Sequence, residues 1–244
     1  MKVTKSTKKT EKTAVAGKKL VESYKAFLDA GKTERECVVQ IIAMAEAHGY
    51  KDIASCKSLE PGDKVYVQKM NKAIARFEIG KGSIEDGMNI LGAHIDSPRL
   101  DAKQNPLYES DCITYLNTHY YGGIKRYQWT TIPLALHGVV VRKDGTSVTV
   151  NVGEDENDPV FCVTDLLPHL AKEQLDRKLG DGIRGEELNI LIGSTPFRDD
   201  AVSEKVKLNI ANILFEKYEI TEEDFQSAEL TMVPAGKARD VGFD

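Results

Sequence analysis

The chain has 244 residues, is 41% hydrophobic and 29% charged, and carries a formal net charge of −5. That length holds one large domain or two modest ones, and the acidic balance offers no basic field to attract nucleic acid. Four scattered cysteines without a CxxC pair exclude a disulfide framework or a thiolate zinc site and point to a reducing, cytoplasmic setting, while no apolar run reaches the roughly 18 residues of a membrane span.

The N-terminal stretch "MKVTKSTKKTEKT" is basic and has no apolar core behind it. It reads as a flexible, solvated tail over residues 1–13, not as a secretory signal. Ala16, Leu20, Tyr24, Phe27 and Leu28 then recur at helical spacing, which predicts a helix over 14–29 that Gly31 stops. Thr33 with Glu36 makes a capping-box pattern ahead of a second helix. Its apolar face is Val38, Ile41, Ile42 and Ala45, and it ends at Gly49.

"KVYVQKM" and "AIARFEI" alternate like strands and predict a hairpin turning near Asn71-Lys72. "MNILGAHI" (88–95) is almost continuously apolar, which predicts a strand covered on both faces, as in an α/β sheet. Beyond it the texture changes. "TIPLALHGVVVRK", the Asp144-Gly145 turn and "TSVTVNV" predict a second hairpin. "ELNILIGS" predicts a strand, and helical patterns fall at about 164–178 and 201–217. This half reads as α+β with antiparallel strands, and polar residues leading into Asn105-Pro106 predict a boundary near 101–106. No internal repeat is present.

The stretch "LGAHIDSPRL" (91–100) carries the chemistry. In an extended chain residues i and i+2 face the same side, so His94 and Asp96 share one site at a strand's C-terminal end. In open α/β sheets ligands bind there. A neutral imidazole is a good zinc ligand, and metal-bound histidines commonly donate their other N–H to a carboxylate. HxD alone is equally compatible with an ordinary His–Asp hydrogen bond at a strand end.

"GAHIDSPRLD" (92–101) resembles the first metal-site motif of the aspartyl aminopeptidase family of metallopeptidases, the vacuolar aminopeptidase I-like group. "NTHYYGGIKRYQW" (117–129) resembles its Tyr-Gly-Gly segment, and "LLPHLAKEQ" (166–174) its Pro-His-Leu-Ala segment. "ELNILIGSTP" and "PAGKARDVGFD" follow in the family's order, so the likeness runs from about residue 16 to the end. The resemblance implies a zinc-exopeptidase-like α/β catalytic domain interrupted by a strand-rich α+β dimerisation domain. The implied organisation is 1–102 for the first part of the catalytic domain, 103–235 for the insertion and 236–244 for the return.

The implied chemistry is a metal-dependent aminopeptidase acting on peptides with two Zn2+ ions per complete site, other divalent metals fitting the same ligand types. His94 is the implied metal ligand and Asp96 the carboxylate that orients it. His169 matches a histidine of the inserted domain that in this family reaches a neighbouring subunit's active site. On residue type alone, a histidine after Pro168 is as well explained by packing or surface position. The implied assembly is a homo-oligomer of dimers built into a larger closed shell, with neither nucleic acid nor membrane as partner. The family's bridging aspartate, glutamate pair, second aspartate and C-terminal histidine follow the segment that "ARDVGFD" resembles, so this chain holds the first part of the site and is expected to be inactive by itself. In acidic-substrate members the Tyr-Gly-Gly segment runs on through tryptophans and an Asp-Arg-Asp-like stretch. Here it continues "IKRYQWTTIPLALHG", which leaves the preferred N-terminal residue open.

Other residues read as structural. Glu186-Glu187 reads as a solvated turn, Asp199-Asp200 as N-capping for the 201–217 helix, and His48 as a cation at a helix C-terminus. His119 lies in strand-like surroundings, and His137 reads as a hydrogen-bonded sheet residue. "YYGGIKRYQW" fits a binding surface and a turn with core aromatics equally well. Two further readings remain. One is a non-catalytic oligomerisation fragment of such an enzyme. The other is an unrelated hydrolase using His94 and Asp96 as an acid–base pair. Against the latter, the only close hydroxyl, Ser97, lacks a Gly-x-Ser-x-Gly elbow.

Overall fold

The structure is a computed structural model that describes residues 4–198 and 203–243. The chain divides into two compact units, one of residues 1–97 and 237–244, the other of residues 98–236. The second is therefore inserted into the first in sequence.

The first unit opens with α1 (Thr4–Ala30) and α2 (Glu34–Ala47). α1 starts earlier than predicted. Residues 4–13 are helical where a solvated tail was expected, because neither Gly nor Pro interrupts 4–16 and Lys, Glu and Ala are good helix formers. The capping box forms as expected: Glu36 N donates to Thr33 Oγ1 (3.3 Å) and Thr33 N donates to Glu36 Oε2 (3.0 Å). Val38 and Ala45 of α2 are buried, with Cys37 beside them. β1 (Lys51–Asp52), β2 (Lys64–Lys69) and β3 (Ala73–Glu78) form a small sheet in that order. β1 runs parallel to β2, and β2 and β3 make the predicted hairpin, with Met70 and Asn71 both at φ 55° in its turn. Val65 and Tyr66 are buried in this unit, where the Tyr66 hydroxyl donates to Glu46 (2.8 Å).

One expectation fails here. Residues 88–95 carry neither strand nor helix, and Met88, Ile90 and Leu91 are exposed. A continuously apolar strand needs sheet neighbours at its edges and cover on its faces. The three-stranded sheet of this unit supplies neither to 88–95.

The second unit is built on a seven-stranded antiparallel sheet. Its strands are β4 (Arg99–Ser110), β5 (Ile113–Tyr121), β6 (Leu134–Val141), β7 (Ser147–Val152), β8 (Cys162–Val163), β9 (Ile190–Gly193) and β10 (Ala228–Pro234). Their order is β7-β6-β10-β4-β5-β9-β8. β6 and β7 form the predicted hairpin, and "ELNILIGS" supplies β9. The predicted boundary at 101–106 is corrected: β4 runs through Asn105-Pro106, and the units part between Ser97 and Pro98. The pairing of β4 with β5 shifts register between Ala102 and Leu107. Such an irregularity is where a strand tolerates proline, which has no N–H to give to the ladder.

The helical pattern at 164–178 shrinks to α3 (Lys172–Leu175), since Pro168 disfavours helix in the residue before it and lacks an amide. The pattern at 201–217 becomes α4 (Lys205–Tyr218). Asp199-Asp200, expected to cap it, lie outside the described residues. Glu109 of β4 takes that role, its Oε2 accepting from the amides of Val206 and Lys207 at 2.9 Å each. α4 packs on β4, β5 and β9. Leu100, Leu116, Leu134, Ile190 and Met232 form the centre of the core, and Trp129 closes it.

Candidate metal centre

His94 and Asp96 lie on the irregular segment that leads out of the first unit. Ser97 and Pro98 follow them, and proline cannot continue a helix or donate to a ladder. His94 Nδ1 stands 2.9 Å from the carbonyl oxygen of Asp96 and 3.2 Å from its carboxylate Oδ1. Two oxygen acceptors around one ring nitrogen require the proton on Nδ1 in the neutral imidazole. Nε2 then carries the lone pair. The His94 side chain is 85% exposed. This is the tautomer and orientation that a zinc-binding histidine uses, with a carboxylate behind it.

One imidazole is not a metal site. Among the described residues, no group of three or more His, Cys, Asp or Glu side chains converges to hold an ion. The donor chemistry at His94 fits zinc.

His169 belongs to the second unit, in an exposed turn ahead of α3. Leu166, Leu167, Leu170, Leu175 and Leu179 surround it in sequence and are all exposed. His137 is buried in β6 and its Nε2 lies 3.2 Å from Glu154, as expected of a hydrogen-bonded sheet residue. His119 is exposed and stacks on Tyr120 with ring centroids 5.4 Å apart. His48 Nδ1 hydrogen-bonds the Met44 carbonyl (2.7 Å) at the end of α2. Glu186 and Glu187 sit in a short 3₁₀ turn but are paired, Glu186 with Lys103 (2.9 Å) and Glu187 with Arg177 (3.0 Å). The hydrogen bond from Lys103 holds the Glu186 carboxyl below its ordinary range.

The "YYGGIKRYQW" segment forms a turn that contributes aromatics to the core. Trp129 is buried, Tyr120 and Ile124 pack against the core, and Gly122 takes φ +81° beside Pro98. Tyr121 is more exposed and receives the guanidinium of Arg99, 4.0 Å above its ring. Arg99 also donates to Asp101 (2.7 Å). This group went unpredicted, although "RLD" at the end of the motif shows an opposite-charge i,i+2 pair on one strand face.

Comparisons with known proteins agree on one family. The family described as "Aminopeptidase I zinc metalloprotease (M18)" matches residues 27–244. A relative in Clostridium acetobutylicum, "Probable M18 family aminopeptidase 1", is 59% identical over 229 residues, covering 92% of this chain and 49% of the relative. The crystal structure of an M18-family aminopeptidase from Thermotoga maritima superposes with a TM-score of 0.88 at 42% identity, over 92% of this chain and 49% of that one. The S. cerevisiae mApe1 dodecamer shares the fold at 18% identity and a TM-score of 0.61, over 88% of this chain and 48% of that one. The chain thus spans about half the length of the relatives it matches.

Proposed function

The chain belongs to the M18 family of aminopeptidase I zinc metalloproteases, and on that premise we propose that it carries the first part of a two-zinc site that removes N-terminal residues from peptides. The observation that carries this reading is the bracketing of His94 Nδ1 by two Asp96 oxygens, which leaves Nε2 as a ligand atom. When bound, zinc in such a site polarises a carbonyl and lowers the pKa of a coordinated water. His94 supplies one ligand. Asp96 fixes the ring and holds the proton on Nδ1. A catalytic zinc typically takes three protein ligands plus water. In this reading the rest of the family's ligand set completes the site, and the 244 residues by themselves turn over no peptide.

The second unit serves assembly. Its exposed leucines from Leu166 to Leu179 form an apolar stretch of the kind that marks subunit contacts, and His169 stands among them. In this reading the unit joins copies of the enzyme into dimers within a larger closed shell, and His169 is presented to a neighbouring subunit's site. The mApe1 of the same fold is a dodecamer. Four free cysteines fit a reducing cytoplasmic setting.

Metal analysis tests the reading. The chain joined by the second half of an M18 sequence is expected to bind two zinc ions and cleave aminoacyl substrates, and His94→Ala is expected to lose one zinc. Full zinc content and activity in His94→Ala would overturn the assignment, as would peptide cleavage by the 244-residue chain alone.

A further inference from the structure

The second unit is joined to the first at two places in the chain, between Ser97 and Pro98 and between Gly236 and Lys237. Both joints leave one end of the seven-stranded sheet, because β4 starts at Arg99, β10 ends at Pro234, and the two strands pair there through Leu100 and Met232. The joints differ in stiffness. On the way in, Pro98 has a ring-fixed φ and lies against Gly122. On the way out, Gly236 takes φ +92°, a conformation that glycine adopts freely, and no atom would crowd a Cβ there. The exit is the soft joint.

Glu154 holds it. Its two carboxylate oxygens are divided between partners far apart in sequence: Oε1 stands 3.2 Å from His137 Nε2, and Oε2 accepts from the Gly236 amide at 3.3 Å. His137 is 1% exposed and lies within β6, opposite Thr231 of β10 and Asn151 of β7, so its ring cannot move without disturbing the sheet. Glu154 follows β7 through Gly153, at φ +114°, where a Cβ would stand 2.9 Å from Ala135 Cα. The Gly153 amide donates to Asp158 (3.0 Å), which fixes the turn that aims Glu154. The carboxylate thus carries the rigidity of the sheet to a residue two positions beyond the last ladder pair, Pro234 with Leu134. Downstream, Asp29 of the first unit accepts from the Ala238 amide at 2.6 Å. With both anchors in place, the bend of the chain is confined to Gly236 and Lys237.

We propose that Glu154 is a latch on this exit joint: closed on Gly236 and anchored by His137, it fixes the joint, and its opening lets the inserted unit swing on its two crossings. Hinge motions concentrate in a few residues that absorb the change in φ and ψ. A carboxylate suits the role, since one side chain accepts two hydrogen bonds at once and rotates away by its own torsions without breaking a ladder. The latch requires no metal, so its behaviour is measured without reference to catalysis.

Hydrogen exchange and limited trypsin digestion of the 244-residue chain test it. Glu154→Ala is expected to speed exchange of the Gly236 amide by about tenfold or more, the change on losing a protecting bond, while amides within β10 stay as they were. Trypsin cleavage after the exposed Lys237 is expected to quicken by a similar factor. His137→Leu leaves Glu154 and Gly236 in place but removes the anchor, so it too is expected to release the Gly236 amide. His137→Gln, whose side-chain amide can donate to Glu154, is expected to keep it protected. This pair of variants separates a latch from a single hydrogen bond. Glu154→Gln keeps one acceptor oxygen and is expected to fall between wild type and Glu154→Ala; it takes the alanine variant's place if that protein does not fold. Equal acceleration at Gly236 and throughout β10 would overturn the inference, since the whole unit would then have loosened. So would unchanged Gly236 exchange in the Glu154 variants, a protected Gly236 in His137→Leu, or a released Gly236 with unchanged cleavage at Lys237.

Discussion

Lys25 in α1 and Asp240 near the end of the chain, 215 residues apart, form an ion pair with Nζ and Oδ2 2.7 Å apart. Beside it, Ala238 N donates to Asp29 Oδ1 at 2.6 Å. These contacts return the chain to its first unit after the insertion. The hydrogen bond to Asp240 raises the Lys25 pKa above its ordinary value. The contribution of the pair is therefore present at neutral pH and lost as pH rises through the folded-state value. Lys25→Ala is expected to speed hydrogen exchange at the Ala238 amide several-fold while leaving exchange in the second unit unchanged. Global stability should barely move, because exposed pairs contribute little.

The His94–Asp96 geometry separates two roles. Asp96→Asn keeps the backbone carbonyl at 2.9 Å from Nδ1, so the ring retains one acceptor and its orientation. It loses the negative charge that strengthens Nε2 as a ligand. In the zinc-bound, assembled enzyme this substitution is expected to lower zinc affinity or rate by roughly 10–100-fold without unfolding. His94→Ala should remove one zinc altogether. Zinc titration against a competing chelator reads both.

Gly138 faces Leu230 across the β6–β10 ladder at φ +149°. A Cβ there would lie 1.9 Å from the Glu229 carbonyl oxygen. Neither backbone can yield without breaking the ladder at the centre of the sheet. Gly138→Ala is expected to destabilise the second unit by about 3 kcal/mol or more. Denaturant unfolding, followed by fluorescence of Trp129 in that core, measures it.

Asp224 closes a capping box with Thr221, its Oδ2 accepting from the Thr221 amide (2.9 Å) and hydroxyl (2.8 Å). The backbone hydrogen bond first, then the hydroxyl, hold its carboxyl below the ordinary range. A depressed folded-state pKa means that the stabilisation is complete above the unfolded value and disappears as pH falls through the folded one. The wild type should lose stability below about pH 4, the ordinary aspartate range. Asp224→Asn should show a shallower loss over the same interval. Thr221→Ala is expected to cost about 1 kcal/mol at neutral pH. Denaturation midpoints across an acid series test all three.

Leu166, Leu167 and Leu170 are exposed, so replacing them with serine removes apolar surface without opening a cavity. A Leu166→Ser, Leu167→Ser, Leu170→Ser variant of the complete enzyme should keep its circular dichroism and sediment as a smaller species. An unchanged assembly mass would remove this stretch from the subunit contact.

Features made by neighbours in sequence were legible without coordinates. The Thr33–Glu36 box, the β2–β3 hairpin and the Asp144-Gly145 turn each depend on residues within a few positions of one another, where side-chain chemistry acts directly on the local backbone. The pairing of His94 with Asp96 belongs here too, because two residues are enough to make it.

What the tertiary structure alone decided depends on partners distant in sequence. β10 enters the sheet between β6 and β4, about 90 residues after the first of them and about 120 after the second, a choice that burial of Leu230 and Met232 settles and no local pattern announces. Glu109 caps α4 from a strand 97 residues away. Pro106 reads locally as a break, yet the ladder with β5 carries β4 past it through a register shift. The helix pattern around Leu166 to Leu179 mostly fails because helix stability comes from packing, and those leucines stay more than half exposed. Residues 88–95 show the same principle in reverse. Their nearly continuous apolar side chains read as a buried strand, but strand structure is made only by hydrogen bonds to another strand, and the described sheet of their unit offers them no edge.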